Sequence, residues 1–230
     1  MPRAGLVVAL IGAVGLFIYS RASAATVYED GTTEAGDAIP MDAPADVYSE
    51  NPVPYNGSDP MPAPDLTTIA DPVQAFLYMI ISCEHSGDDV RTGRAFRVFY
   101  GGSTFSDMSD HPVITGEKKG VPLPDHMCVN AGINPPCVST AAGAFQMTKP
   151  TWLAFRGPGD QFDEPGQVNA ARRILDNLGA TAAIHHGDIA GAIRLAGQRW
   201  ASLPGARGAQ PQRSMAFALG AFNDAAARLA

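Results

Sequence analysis

The chain has 230 residues, enough for one domain of moderate size with appendages, and its 16 basic and 23 acidic side chains give a net charge of −7. The acidic excess is confined to the N-terminal part, because residues 71–230 carry 14 basic and 14 acidic side chains. A nearly neutral domain argues against nucleic acid as a partner, since that ligand selects a strongly basic face.

The first 25 residues are typical of a membrane-targeting segment. Arg3 precedes an apolar run over residues 4–19, and Ala22-Ser23-Ala24 resembles a signal-peptidase site. The run is shorter than the roughly 20 residues of a stable span, so a cleaved signal peptide and a retained anchor both stay open, beside a buried core helix. We expect residues 4–19 to contact a membrane, with the rest of the chain outside the cytoplasm (periplasm) or on a virion-associated membrane protein.

Residues 26–70 predict an acidic, Pro-rich linker. They contain seven prolines and nine acidic side chains, without one basic side chain and with little apolar periodicity. Such a chain stays extended, and about 45 residues could reach on the order of 140 Å. The alternative is an ordered arm packed on the domain or on a neighbouring subunit, for which apolar side chains are present at Val47, Tyr48, Val53 and Tyr55.

A helix signal begins at Asp71, a suitable N-cap, with Pro72 at the first helical position. Apolar side chains then recur at helical spacing: Val73, Phe76, Leu77, Ile80 and Ile81. Glu84 follows on the same stripe, where the helix dipole and lost solvation disfavour its charged form. A carboxyl kept protonated is what a general acid for glycosidic cleavage requires. The alternative is that Glu84 frays into solvent or pairs with Arg91 or Arg94.

The chain after Glu84 changes to short β-prone runs and turns over residues 94–112, which predict a small sheet region. Residues 139–155 predict a turn at Gly143 and then a helix capped by Thr148, with Gln146 at its mouth.

The remaining sequence is helical from Val168 onward. We predict helices over residues 168–178, 188–200 and 211–229, of which the second is capped by Asp188. Residues 71–230 therefore form a helix-dominated α+β domain.

Three segments stand out in chain order: the helix end at Glu84 followed by YGGSTFSDMSDHP (100–112), then STAAGAFQ (139–146), then GDIAGAIRLAGQRWASLPGA (187–206). Together they resemble the bacteriophage lambda type of endolysin, a lytic transglycosylase family with a lysozyme-like fold. The resemblance implies that Glu84 is the catalytic glutamate. It also implies a glycan groove lined by Tyr100, Thr140, Phe145 and Gln146.

The roles of several other residues stay open. Asp110 lies in the matching 100–112 segment as a second carboxylate or as a structural residue, and metal ligation by His85 or His111 is a further alternative. The chain departs from the family at residues 207–209, where the family has an aromatic residue. Residues 112–139 look longer than in the family and predict an enlarged lip over the groove.

The three cysteines are relevant to the cellular compartment of the protein. Cys128 and Cys137 could close a short loop by a disulfide outside the cytoplasm, leaving Cys83 as a buried thiol on the catalytic helix. Zinc bound with His126 is the alternative, although a fourth ligand is not evident.

The predicted function is a lytic transglycosylase that cleaves the MurNAc-GlcNAc bond of peptidoglycan to a 1,6-anhydro product. It is expected to be phage-encoded, to serve host cell-wall penetration or lysis, and to need neither metal nor cofactor. A hydrolytic lysozyme (muramidase) is one alternative, and a structural or glycan-binding virion protein with an inactive domain is another. The expected partners are glycan strands, a membrane and other virion proteins.

Overall fold

A computed structural model of the chain describes residues 71–206 and 211–230, together with the backbone of residues 33–34. The predicted membrane-targeting helix (1–25), nearly all of the predicted linker (26–70) and the departure at residues 207–209 lie outside the described residues.

The described residues form eight α-helices: α1 (Pro72–Glu84), α2 (Gly87–Thr92), α3 (Asp125–Asn130), α4 (Lys149–Phe155), α5 (Glu164–Asn177), α6 (Ala180–His185), α7 (Ile189–Ala196) and α8 (Met215–Leu229). A 3₁₀ turn covers Arg94–Arg97. The strands are β1 (Thr33–Glu34), β2 (Val121–Leu123) and β3 (Cys137–Ser139). They form one sheet in the order β1-β3-β2, in which β3 pairs in parallel with β1 and antiparallel with β2.

Helix α1 is the central element of the core and contacts α2, α5, α6 and α8. Its predicted start is confirmed, because the Asp71 carboxylate accepts a hydrogen bond of 3.1 Å from the Gln74 amide. The Phe76 ring meets the Phe222 ring of α8 edge-on, with centroids 6.4 Å apart. The same Asp71 carboxylate binds Arg172 of α5 at 2.6 Å, which ties the beginning of α1 to the surrounding helices.

The sheet region differs from the prediction. Residues 94–112 contain only isolated bridges, such as Val98 to Thr104 and Phe99 to Ala142, whereas the three strands lie elsewhere. The chain reverses directly after this run, because Gly101 has a φ of +82° and the Gly102 amide donates to the Phe99 carbonyl at 2.9 Å. A run that turns so soon is too short to build a strand.

Helix boundaries were predicted less well than helix positions. Helix α5 begins four residues before Val168, because Asp163 caps it by accepting from the Gly166 amide at 2.9 Å. Helix α7 ends at Ala196, four residues before the predicted end, and the chain continues in turns. Helix α8 begins at Met215, after the Ser214 cap.

Candidate active site

Glu84 is the last residue of α1 and is only 7% exposed. Within the described residues it is the one acidic side chain that is buried, as its place on the apolar stripe predicts. Its Oε1 accepts a hydrogen bond from the hydroxyl of Ser202, which lies 118 positions further along the chain. The guanidinium groups of Arg91 and Arg94 pair with aspartates of α2, so the surface ion pairs considered for Glu84 are formed by other carboxylates.

Arg213 connects the segment of Ser202 to the end of α1. Its amide donates to the Ser202 carbonyl at 2.8 Å, and its Nε donates at 3.4 Å to the carbonyl of Cys83, the residue before Glu84. The guanidinium also lies 4.8 Å from the centre of the Phe217 ring, a cation–π contact. The end of α1 is therefore held against the segment that carries Ser202.

His85 connects the end of α1 to the 139–147 segment. Its Nε2 lies 3.2 Å from the Gly143 carbonyl oxygen and 3.1 Å from that of Ala144. Both partners are acceptors, so Nε2 carries the proton. Burial lowers the pKa of His85 to about 4 and outweighs the opposing hydrogen bonds, which keeps the ring neutral. His85 is thus a fixed donor in this site.

Gln146 sits on a strained turn of that segment. It has a φ of +44°, which is unusual for a residue other than glycine and often marks a functional site. Its Nε2 donates at 2.9 Å to the Gly143 carbonyl, the same oxygen that His85 meets. The structure therefore brings the Glu84 end of α1 and the predicted Gln146 to one turn.

The other predicted groove residues are less accessible. Thr140 is fully buried and Phe145 is 1% exposed, so neither side chain is open to a ligand in this structure. Their predicted contact with glycan stays a prediction. Phe145 instead anchors the segment, because its carbonyl accepts from the Trp200 indole at 3.0 Å. Tyr100 is also buried, and its amide donates to the Ala141 carbonyl at 2.8 Å.

Asp110 is held by three donors. Trp152 Nε1 donates to its Oδ1 at 2.6 Å, the His111 amide to the same oxygen at 2.8 Å, and Arg156 binds Oδ2 at 2.6 Å. Burial by itself would raise the pKa of Asp110, but these hydrogen bonds outweigh it and hold that pKa below the usual value. With both oxygens engaged, the contacts favour the structural role over the second carboxylate.

His111 also uses both ring nitrogens within the fold. Nε2 lies 3.1 Å from the Met147 carbonyl, and Nδ1 accepts from the Val113 amide at 3.3 Å. Burial lowers its pKa to about 4, so the ring is neutral. A ring whose nitrogens are both occupied has no lone pair left for a metal.

Gln167 of α5 was missed by sequence reasoning. It is 1% exposed, and its Oε1 accepts from the Ala144 amide at 2.8 Å while its Nε2 donates to the carbonyls of Phe96 and Phe162 at 3.0 and 2.9 Å. One amide thus satisfies three backbone groups from three segments. Ser202 was missed too, although it lies in the WASLPG motif, because a serine next to a leucine carries no signal of its own.

The sulfurs of Cys128 and Cys137 form a disulfide between α3 and β3. These two cysteines are therefore not available as zinc ligands with His126. Cys83 is a free, buried thiol; burial first, and then the charge of Glu84, raise its pKa. The predicted lip contains β2, α3 and β3 in this structure, and β3 leads directly into the 139–147 segment.

The chain is similar to known proteins in sequence and in fold. The endolysin of Escherichia phage lambda is 35% identical over 138 residues, which cover 58% of this chain and 77% of that protein. A solved structure of bacteriophage lambda lysozyme complexed with a chitohexasaccharide matches with a TM-score of 0.53 at 32% identity. That match covers 67% of this chain and 93% of the lysozyme chain. The predicted lysozyme-like, helix-dominated fold is confirmed.

The predicted membrane-targeted location is wrong, because the chain matches an endolysin. Among residues 71–206 and 211–230, no helix is long and apolar enough to cross a bilayer. The apolar run at residues 4–19, on which that prediction depended, lies outside the described residues. The expected virion partners stay a prediction.

A family model described as "Endolysin" matches residues 74–229, which is more than half of the chain. This range includes α1 with Glu84, the 139–147 segment and Ser202. The predicted resemblance is confirmed: the chain belongs to the lambda-type endolysin family of peptidoglycan-degrading enzymes, with a lysozyme-like fold.

Proposed function

We propose that this protein is a lytic transglycosylase that cleaves the bond between N-acetylmuramic acid and N-acetylglucosamine in peptidoglycan, with Glu84 as its catalytic residue. The observation that carries the proposal is the Glu84 carboxyl, buried at the end of α1 and hydrogen-bonded by Ser202. The relationship to a lambda lysozyme complexed with a chitohexasaccharide supports a glycan as the ligand.

One carboxyl is sufficient for this reaction. Glu84 in its acid form donates a proton to the glycosidic oxygen as the bond from C1 to that oxygen breaks. The carboxylate then takes the proton of the muramoyl C6 hydroxyl, whose oxygen forms the new bond to C1. The product carries a 1,6-anhydro ring, Glu84 regains its proton, and no water is consumed. The nucleophile belongs to the substrate.

The surroundings of Asp110 support this choice over a hydrolytic pair. Ordinary glycoside hydrolysis uses a second carboxylate as nucleophile or as base for water. Asp110, the predicted candidate, is bound through both oxygens to Trp152 and Arg156. A carboxylate occupied in this way is a poor base, so we assign the chemistry to Glu84 alone.

The decisive experiment is digestion of purified sacculi in water enriched in ¹⁸O, followed by mass spectrometry of the muropeptides. We expect muramic acid ends that lack one water and carry no label. Reducing, ¹⁸O-labelled ends would replace the transglycosylase with a hydrolytic lysozyme.

Two variants test the residue. Glu84→Gln keeps the shape of the side chain but cannot donate the proton, so we expect at least a 10³-fold loss of activity. Asp224→Asn removes one negative charge from an exposed position on α8 and should keep wild-type activity. Clearing of a peptidoglycan gel by Glu84→Gln would remove Glu84 from its role. Failure of wild type as well would favour a glycan-binding or structural protein.

We assign this activity to host cell-wall penetration or lysis by a bacteriophage. The support for this assignment is the relationship to the endolysin of phage lambda. Expression of the chain in a bacterium whose wall it degrades should cause lysis once the enzyme reaches the wall, and Glu84→Gln should not. Equal lysis by both would refute an enzymatic cause.

A further inference from the structure

We infer that Ser202 is a positioning residue that fixes the orientation of the Glu84 carboxyl, and that Arg213 holds Ser202 in register with α1. This inference rests on the proposed role of Glu84. It assigns a function to two residues that lie more than 100 positions away from the catalytic helix in sequence.

The geometry of the contact defines the role. The Ser202 hydroxyl donates to Oε1 of Glu84, and Ser202 itself is only 2% exposed. A buried hydroxyl that donates to one carboxyl oxygen restrains the rotation of the Glu84 side chain. A catalytic acid needs a fixed orientation, because a carboxyl turned away from the glycosidic oxygen does not present its proton to the leaving group.

Arg213 gives the contact its stability. Its amide binds the Ser202 carbonyl at 2.8 Å and its Nε reaches the Cys83 carbonyl at 3.4 Å, so one residue spans the two chain segments that must stay together. The Cys83 carbonyl lies at the C-terminal end of α1, where the last carbonyls lack partners within the helix. A guanidinium at this end also interacts favourably with the helix dipole.

The contact also has a consequence for the pH profile. A hydrogen bond donated to a carboxylate favours the charged form, so its removal disfavours deprotonation of Glu84. The activity of the acid form should then persist to higher pH. If Ser202 were purely structural, its replacement would change stability but would not move the alkaline limb of the profile, the pH range in which activity is lost as pH rises.

The test compares Ser202→Ala and Ser202→Thr with wild type. The Thr variant keeps the hydroxyl. Ser82→Ala is the control. It removes a hydroxyl from α1, the helix of Glu84, and this hydroxyl donates to the Tyr78 carbonyl at 2.8 Å. For each variant, thermal unfolding is recorded, and kcat and KM on soluble glycan strands are measured across pH 4 to 10.

We expect Ser202→Ala to lower kcat about 10- to 100-fold, with KM within about twofold, and to shift the alkaline limb upward by about one pH unit. Ser202→Thr should restore the wild-type limb, and Ser82→Ala should not move it. Arg213→Lys, which keeps the charge but not the fork of donors, should lower kcat without moving the limb as far as Ser202→Ala.

The outcomes separate the two proposals. A folded Ser202→Ala variant with wild-type kcat and limb overturns the positioning role, while an inactive Glu84→Gln variant still supports the proposed function. An active Glu84→Gln variant overturns both. If Ser202→Ala does not fold, Ser202→Cys replaces it, because a thiol is a weaker donor of similar shape. A smaller upward shift then supports the role, and an unchanged limb overturns it.

Discussion

Replacing His85 with Gln should make the free energy of unfolding less sensitive to acid. The buried imidazole stays neutral, and its pKa of about 4 in the folded protein compares with about 6.5 in an unfolded chain. Between these two values the unfolded state binds more protons than the folded state. Stability therefore falls as pH falls through this window, and the histidine has no effect well above pH 6.5. Gln can donate to the same carbonyls but does not titrate.

The magnitude follows from the two pKa values. Linkage gives a loss of about 2 kcal/mol for this one group between pH 7 and pH 4.5. The ring is buried, so solvent screening does not reduce this figure substantially. The charge of Asp89 raises the pKa of the ring and the charge of Arg94 lowers it, and both effects are minor beside burial. His111, with the same shift, adds a similar amount that stays unchanged in the variant.

The assay is urea denaturation at pH 7 and at pH 4.5. Wild type should lose about 2 kcal/mol more than His85→Gln between the two conditions, whatever the stability of the variant at pH 7. The carboxylates that titrate in this range cancel in the comparison. His126→Gln, at an exposed position on α3, is the control and should behave as wild type. Equal acid sensitivity of wild type and His85→Gln would refute the reasoning.

Three further perturbations test the packing around the site. Gly143→Ala would place a Cβ 2.2 Å from Gln167 Oε1, at a φ of +76°. We therefore expect the free energy of unfolding to fall by about 2 kcal/mol and activity to fall as well. Wild-type stability and activity would contradict this. Gln167→Leu leaves three backbone groups without their partner, and we expect it to lower the stability measured by urea denaturation by about 3 kcal/mol. A loss below about 1 kcal/mol would argue against the network. Replacing Cys128 and Cys137 by Ser opens a loop of nine positions and should lower stability by about 2–3 kcal/mol, equal to the effect of reductant on wild type; a variant as stable as the oxidised protein would count against this.

Local features were the most predictable part of the fold. The beginning of α1 follows from Asp71 and Pro72, and the buried position of Glu84 follows from its helical angle, because caps and periodicity involve residues only a few positions apart. The sheet was predicted in the wrong place. Strand pairing joins distant segments, and neither β2 nor β3 has more than three residues to carry a periodic signal.

Among the proposed site residues, the sequence by itself predicted Glu84 and the segment of Gln146, through helix periodicity and ordered family motifs. Tertiary structure alone decided which residues surround them. Ser202 meets Glu84 across 118 positions, and Gln167 reaches three segments at once. Such contacts depend on how helices pack around α1, and packing depends on the shapes of many side chains together. No local sequence pattern therefore predicts these contacts.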